Sequence, residues 1–263
     1  MRVMAASRVA KSAKQWVEHF SYLKSGTYSS QWMIVDYNVF SSIIGTTSRK
    51  AGLLYMMEEE PHRIVSHDIS DYLYEHFYFG SFNRAFLQDT KNDLRTNLIA
   101  HLYGDNFNYE NANRGKIFKH IQNNVVDLKT MKDALRYNGY IKPAFKGDPS
   151  YNAPEHGISS RSDLSGLYNL SGGIDCKVTN FEMVKKQECV AISGPTNEMG
   201  LSTFEFTAVH TDDSHKGVPN KFDFPFVLMS PKTLCCDNND IYQFTAQFIK
   251  FCIVGVSNAC ITL

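Results

Sequence analysis

The sequence lacks an excess of charge of either sign and any long apolar run. Its 263 residues carry 27 Lys and Arg against 27 Asp and Glu. Nucleic-acid-binding domains usually show a basic patch or stripe, so the balance argues against nucleic acid as a partner. No apolar run approaches the 18 or so residues of a membrane span, because polar residues interrupt even the segment 244–263. With 43% hydrophobic and 21% charged residues, the chain is typical of a folded globular protein.

The first residues also lack the features of a secretory signal peptide. Lys11, Lys14 and Glu18 interrupt the apolar residues, and no small-residue cleavage site follows. A signal peptide needs an uninterrupted apolar stretch before such a site. Taken alone, this beginning predicts a cytosolic chain.

The six cysteines include no Cys-x-x-Cys pair, and four of them lie from Cys235 onward. A structural zinc site usually shows that paired spacing, so we expect no bound metal. A disulfide between Cys176 and Cys189 remains open if two strands bring them together. Two buried free thiols are the interpretation we favour, because free cysteine is commonly a buried, apolar residue.

Hydrophobic periodicity predicts strands, then helices, then strands again, which is typical of an α+β fold or layered sheets. An amphipathic helix is expected over 3–23, and Asp68 is expected to cap a short helix. The tail 233–263 has little charge and no clear alternation, and we interpret it as an appendage. The further predictions are strands at 31–40, 52–57, 63–66 and 78–82, helices near 84–103, 114–123 and 127–138, and a hairpin of 174–181 with 189–193.

Common catalytic signatures are absent from the sequence. It contains no Gly-x-Ser-x-Gly, no Walker loop and no Gly-x-Gly-x-x-Gly. The pairs His62/His67 and His210/His215 lack a helical His-Glu-x-x-His frame, so surface or loop histidines are predicted. The acidic run 58–60 is predicted to be a solvated strand end.

Several polar segments nevertheless occur in strand or turn contexts. By composition alone, Asn83 is predicted to form a turn, Arg114 to lie on the surface at a helix start, and Arg161 to pair locally with Asp163. Together and in this order, the segments resemble the phospholipase B-like family, which includes the lamina ancestor proteins. The matching stretches, within about 1–229, are SGTYSSQWMIVDY, GLLYMMEEEPHRIV, YFGSFN, YGDNFNY, NRGKIF, MKDALRYN, ISSRSDL, GGIDCKVT and SGPT.

The resemblance implies the αββα sandwich of the N-terminal nucleophile hydrolases, of which this chain would hold a part. In such enzymes a precursor is cut to expose a catalytic Cys, whose own α-amino group serves as general base. The implied reaction is hydrolysis of acyl-ester or amide bonds in lipid degradation, with glycerophospholipids as substrates and no cofactor. The family's proteins are secreted or lysosomal glycoproteins, so the resemblance also implies that location.

Two positions match active-site residues of the family. Asn83 matches an Asn whose side-chain amide stabilises a tetrahedral oxyanion, and Arg114 matches an Arg that lines the same pocket. Trp32 and Asp36 either line the pocket or pack the central strand, and packing is the interpretation we favour. Asn169 begins the only Asn-x-Ser/Thr sequon and is the candidate glycosylation site of a secreted protein.

The sequence also departs from the family pattern. The family's nucleophile Cys lies upstream of the helix that opens this chain, and Ser29-Ser30 stand where the family usually has two Asn. We therefore interpret 1–232 as the C-terminal portion of a phospholipase B-like domain and 233–263 as a poorly ordered tail foreign to the family. The expected partners are a phospholipid or other acyl or amide substrate and the N-terminal part of the same precursor. The isolated chain is expected to be inactive; the alternative is a non-catalytic pseudoenzyme or binding protein that retains the pocket wall.

Overall fold

A computed structural model describes residues 2–27, 29–165, 172–206 and 215–231, together with the backbone of 251–254 and 259–262. These residues form two compact units. Unit 1 draws on 1–108, 181–188 and 230–263, and unit 2 on 109–180 and 189–229. The mixture of helices with antiparallel sheets confirms the α+β class. Within the described residues no helix is long and apolar enough to cross a bilayer.

The helices and strands are numbered in chain order. The helices are α1 Arg2–Val9, α2 Ala13–Ser21, α3 Tyr37–Ile43, α4 Ser70–His76, α5 Gln88–Asp93, α6 Thr96–Tyr103, α7 Asn113–Ile121, α8 Leu128–Leu135 and α9 Phe181–Lys185. The strands are β1 Gln31–Asp36, β2 Leu54–Glu59, β3 Ile64–Asp68, β4 Tyr78–Ser81, β5 Asp175–Val178, β6 Cys189–Ser193, β7 Val227–Met229, β8 Phe251–Val254 and β9 Ala259–Thr262.

Unit 1 is built on an antiparallel sheet with the strand order β3-β2-β1-β8. Helix α2 covers this sheet with an apolar face, on which Trp16 stacks against Phe20 with 4.8 Å between ring centroids. Both rings pack with Ile34 of β1 and Met57 of β2 in one buried cluster. Aromatic side chains bury large areas, so this cluster is a main source of the unit's stability.

Part of the tail contributes strands to unit 1. The backbone of β8 pairs antiparallel with β1, and that of β9 pairs antiparallel with β4. The rest of 233–263 lies outside the described residues, so the interpretation of the whole segment as a foreign, poorly ordered tail stays a prediction.

The single helix predicted over 3–23 is wrong, because the segment forms α1 and α2 with a break between them. Ser12 is the N-cap of α2 in an extended conformation, and its hydroxyl accepts a hydrogen bond from the Gln15 amide at 3.2 Å. A side-chain cap of this kind satisfies an amide that has no partner within the helix. It therefore starts a new helix inside a continuous amphipathic pattern.

The strand predicted over 31–40 ends early at Asp36 for a similar reason. The buried Asp36 carboxylate accepts hydrogen bonds from Asn38 N at 2.9 Å, at the start of α3, and from Ala13 N at 3.1 Å. Trp32 lies on the α2 cluster, 4.9 Å from the Phe20 ring. These contacts support the interpretation of Trp32 and Asp36 as packing residues.

The helix predicted over 84–103 is also two helices, α5 and α6. Arg95 separates them with a left-handed φ of 50°, a conformation that cannot continue a right-handed helix. The prediction that Asp68 caps α4 is wrong, because the N-cap is Ile69, which forms no side-chain cap hydrogen bond. Asp68 lies one residue earlier, and its carboxylate accepts a hydrogen bond from Ser70 N at 2.9 Å.

Unit 2 contains the predicted hairpin, with β5 and β6 antiparallel and β7 added beside β6. Its first strand ends at Val178, before the predicted end at 181, where α9 begins. The register places Cys176 opposite Ile192 and Cys189 opposite Met229, so these two thiols are free. Cys176 is buried as expected, and Cys189 is half-buried. Burial in the apolar surroundings of the hairpin raises the pKa of the Cys176 thiol to about 11.

Two arginines hold the loops of unit 2 from within. Arg136 is buried and donates to Glu198 Oε1 at 2.7 Å and to the Gly194 carbonyl at 3.0 Å. Arg161 forms the predicted pair with Asp163, through two hydrogen bonds of 2.8 and 2.7 Å. Its side chain is fully buried, which a local surface pair would not require.

The core of unit 1 should depend strongly on Trp16. We expect Trp16→Ala to lower the free energy of unfolding by about 3–5 kcal/mol, because it removes a large buried ring and leaves a cavity. The exposed Tyr22 provides the control, and Tyr22→Ala should change the free energy by less than about 0.5 kcal/mol. Urea unfolding followed by tryptophan fluorescence and circular dichroism measures both; equal effects would contradict the packing described here.

The pair of Arg136 and Glu198 should make unit 2 sensitive to acid. Burial alone would raise the pKa of Glu198, but hydrogen bonds from Arg136 and Thr196 outweigh it, and the pKa lies below its ordinary value of 4.5. A carboxyl whose pKa falls on folding stabilises the protein at pH values above its ordinary, unfolded pKa. This contribution is lost as the pH drops through the lower pKa of the folded state. We expect Glu198→Gln to flatten the fall in stability below about pH 4.5, measured by unfolding across an acid series. An unchanged acid profile would contradict this.

Candidate active site

Asn83 lies exposed in a turn directly after β4. Its φ of 60° is left-handed, a conformation that asparagine tolerates better than most residues. This position confirms the expected turn. We call residues 82–87 the Asn83 loop.

The far end of the Asn83 loop is fixed by a buried carboxylate. Glu58 of β2 is 3% exposed. Its oxygens accept hydrogen bonds from Phe86 N at 2.7 Å, from Leu87 N at 3.2 Å and from Gln31 Nε2 at 2.5 Å. Hydrogen bonds to a charged acceptor are stronger than neutral ones, so Glu58 is the main anchor of this loop.

Gln31 extends the anchor to the near end of the loop. Its Nε2 also donates to the Arg84 carbonyl at 3.1 Å, and its Oε1 accepts a hydrogen bond from the buried Ser81 hydroxyl. Ser81 immediately precedes the loop, and Gln31 opens β1. The network Ser81–Gln31–Glu58 therefore holds the loop from both sides.

Arg84 fixes the backbone of Asn83 itself. Its Nη1 donates to the Asn83 carbonyl at 2.9 Å, and its Nε donates to the Asn106 carbonyl at 2.7 Å. The guanidinium carbon lies 5.1 Å from the Phe107 ring centroid. Partial burial lowers the pKa of Arg84, and the side chain links the loop to the short 3₁₀ turn Asp105–Phe107.

The prediction that residues 58–60 form a solvated strand end is wrong. Glu58 and Glu60 are both buried, while the half-buried Glu59 accepts a hydrogen bond from Trp32 Nε1. Side chains alternate between the two faces of a strand. Glu58 therefore shares a face with Leu54 and Met56, and this alternation was the signal that could have identified its burial.

Arg114 lies in the first turn of α7, half-buried, within unit 2. A cation at a helix N-terminus opposes the helix dipole, so stabilisation of α7 does not account for its position. Asn83 belongs to unit 1. Asn169 lies outside the described residues, as does His210.

Of the two predicted histidine pairs, the three members that the structure describes lie at the surface or in loops, as predicted. His62 and His67 are both exposed, and His67 Nε2 lies 3.7 Å from the exposed Asp89 Oδ2. His215 is half-buried and stacks on Phe206 with 4.1 Å between ring centroids.

Comparison with known proteins shows where this chain belongs. A family model described as Phospholipase B matches residues 1–229. The chain is a member of the phospholipase B family. It is 34% identical over 232 residues to Phospholipase B-like 1 of Rattus norvegicus, covering 88% of this chain and 40% of the relative. It is 35% identical over 244 residues to Phospholipase B-like protein D of Dictyostelium discoideum, covering 89% and 41%.

A third relative, Phospholipase B of Crotalus adamanteus, is 34% identical over 233 residues, which are 88% of this chain and 40% of that protein. The chain thus spans about 40% of the length of these curated relatives. The family model matches 1–229, which is the range over which the ordered motifs predicted the resemblance.

The anchor of the Asn83 loop can be tested directly. We expect Glu58→Ala to leave two backbone amides and an amide side chain without their acceptor, at about 1–3 kcal/mol for each unsatisfied group. Hydrogen exchange of the Phe86 and Leu87 amides should accelerate more than exchange in β1 and β2, because the loop opens first. Glu75→Ala, which replaces an exposed acid of α4, is the control. Exchange rates in the loop that match those of the wild type would contradict the anchor.

Proposed function

We propose that this chain carries one wall of the active site of a phospholipase B-like hydrolase, which cleaves acyl-ester or amide bonds in lipid degradation. Family membership supports this proposal, together with the construction of the Asn83 loop. A surface turn needs no buried carboxylate to hold it, whereas an active-site loop gains from a fixed geometry. The anchoring of Asn83 from both sides is the observation that carries the proposal.

In the proposed reaction, a thiol adds to the substrate carbonyl and an α-amino group accepts the thiol proton. The Asn83 side-chain amide donates to the oxygen that becomes negative in the tetrahedral intermediate. Such donors act through being held in place before the reaction. Glu58, Gln31 and Arg84 are positioning residues that supply this rigidity to the loop. Arg114 is proposed to orient a polar or anionic group of the lipid.

The nucleophile is proposed to be a Cys in the part of the family's length that this chain does not span. Only the thiolate is an effective nucleophile. Cys176 is buried, and this burial raises its pKa to about 11 and disfavours the thiolate. It also lies within the chain, so it has no free α-amino group of its own to accept the thiol proton. We therefore propose that the isolated chain is inactive and works together with the N-terminal part of the precursor. The αββα sandwich, a secreted or lysosomal location and glycosylation at Asn169 belong to the same proposal.

The test compares the purified chain alone with the chain co-expressed with the N-terminal part of its precursor. We expect no release of fatty acid or amine by the chain alone, and release by the complex. Within the complex, Asn83→Ala should lower kcat by about 10²–10³-fold, since one oxyanion donor is lost, and Arg114→Met should mainly raise KM. Asn97→Ala, at an exposed position of α6, is the control and should leave both constants unchanged.

Three results would overturn parts of this proposal. Acyl or amide release by the chain alone would contradict its inactivity. Unchanged kcat in the Asn83→Ala complex would remove Asn83 from the site. A folded complex that binds phospholipid but hydrolyses neither substrate would favour the non-catalytic binding protein.

A further inference from the structure

The turn between β2 and β3 buries a carboxylate that the hydrogen bonds of this region leave unsatisfied. Glu60 is 2% exposed. Among the residues that the structure describes, neither Oε1 nor Oε2 has a hydrogen-bond partner. A buried carboxylate without a partner is costly, because it has lost its hydration with nothing in return. A cation bound at this carboxylate would offset that cost.

Neither Lys24 nor Arg63 forms a described hydrogen bond to the Glu60 carboxylate, although both lie at this turn. The Lys24 ammonium contacts the main-chain carbonyls of Glu60 and Arg63. The Arg63 guanidinium forms an ion pair with Asp93 Oδ2 at 2.8 Å. The nearest described ionic partner of the Glu60 carboxylate is the imidazole of His62, whose Nε2 lies 3.6 Å from Oε2.

Three potential metal ligands converge at this point. Glu60 and His62 lie in the turn, and Asp93 ends α5. One ligand atom from each lies within 4.8 Å of the others. Zinc binds nitrogen and oxygen at about 2.0–2.2 Å, which places two ligands of a tetrahedral ion about 3.4 Å apart. Glu60 Oε2 and His62 Nε2, at 3.6 Å, already have nearly this separation, and the Asp93 ligand atom lies within 4.8 Å of both.

We propose that Glu60, His62 and Asp93 bind a divalent transition-metal ion, with water completing its coordination. One imidazole and two carboxylates suit Zn²⁺, Co²⁺ or Mn²⁺, whereas Mg²⁺ and Ca²⁺ prefer all-oxygen sites. The side chain of His62 is 72% exposed, so an ion can enter from solvent. The ion would join the β2–β3 turn to the end of α5. Competition from Arg63 for Asp93 keeps the affinity below that of a dedicated zinc site.

The six cysteines of the chain could bind a metal ion unspecifically. Cobalt is the appropriate probe, because its absorption spectrum shows whether thiolates are among its ligands. After removal of metal with a chelator, Co²⁺ titrated into the full chain should give visible absorption bands without a thiolate charge-transfer band. Zn²⁺ should displace it, and excess Mg²⁺ or Ca²⁺ should not. Glu60→Gln, His62→Ala and Asp93→Asn should each weaken binding by at least about tenfold, since removal of even a supporting group costs 10–100-fold.

The exposed pair of His67 and Asp89 is a matched control. It offers the same imidazole and carboxylate at 3.7 Å, but no third ligand joins it within the part of the chain that the structure describes. His67→Ala and Asp89→Asn should leave Co²⁺ binding unchanged. Circular dichroism checks that each variant is folded. If Glu60→Gln unfolds the turn, the variants of the exposed His62 and of Asp93, whose side chain is 31% exposed, still test the site.

Several outcomes would overturn the site. A thiolate band, or binding that the three variants leave unchanged, would assign the ion to cysteines or another site. Equal loss in the control variants would show general surface binding. Absence of Co²⁺ binding would leave Glu60 and His62 as an ion pair only.

Discussion

Glu58 carries its carboxylate into the interior of unit 1, where N–H donors from β1 and from the Asn83 loop meet it. A buried carboxylate is tolerated only where hydrogen bonds replace its hydration. Two of these bonds come from the loop amides, so the loop and the carboxylate hold each other in place. Once the loop amides are bound, Asn83 can remain in a left-handed conformation at the surface. These bonds hold the backbone that carries Asn83, and the oxyanion role proposed for it needs a donor whose position is set before the reaction. The family chemistry proposed for Asn83 thus rests on Glu58 of β2, a residue outside the loop that carries Asn83.

The sequence predicts the type of several elements correctly, whereas it misses boundaries between elements. Short aromatic and apolar segments next to turn residues correctly predicted β4, β6 and the pairing of β5 with β6, because both signals are local in the sequence. The boundaries at Ser12 and Asp36 were missed, because each depends on a side-chain cap inside a continuing apolar pattern. The Asp36 cap also accepts a bond from Ala13 N, 23 residues away, and local periodicity contains no information about that contact.

The candidate site shows the same limit. Asn83 and Arg114 came from the order of the family motifs, whereas Glu58, Gln31 and Arg84 were missed. Gln31 and Glu58 are 27 residues apart and meet only because they face each other in the β1–β2 register. An isolated run of three glutamates resembles a solvated strand end, and only its place in the sheet reveals that two of the three are buried.

Glu58 and Glu60 lie two residues apart, so an extended backbone directs both toward the same side of the chain. Both are almost fully buried, yet their surroundings differ. Glu58 has three N–H donors, while Glu60 has none among the described residues. The same desolvation cost applies to each carboxylate, and for Glu60 no hydrogen bond offsets it. A cation held with His62 and Asp93 would supply the missing compensation, which is why the proposed metal site lies at Glu60 and not at Glu58.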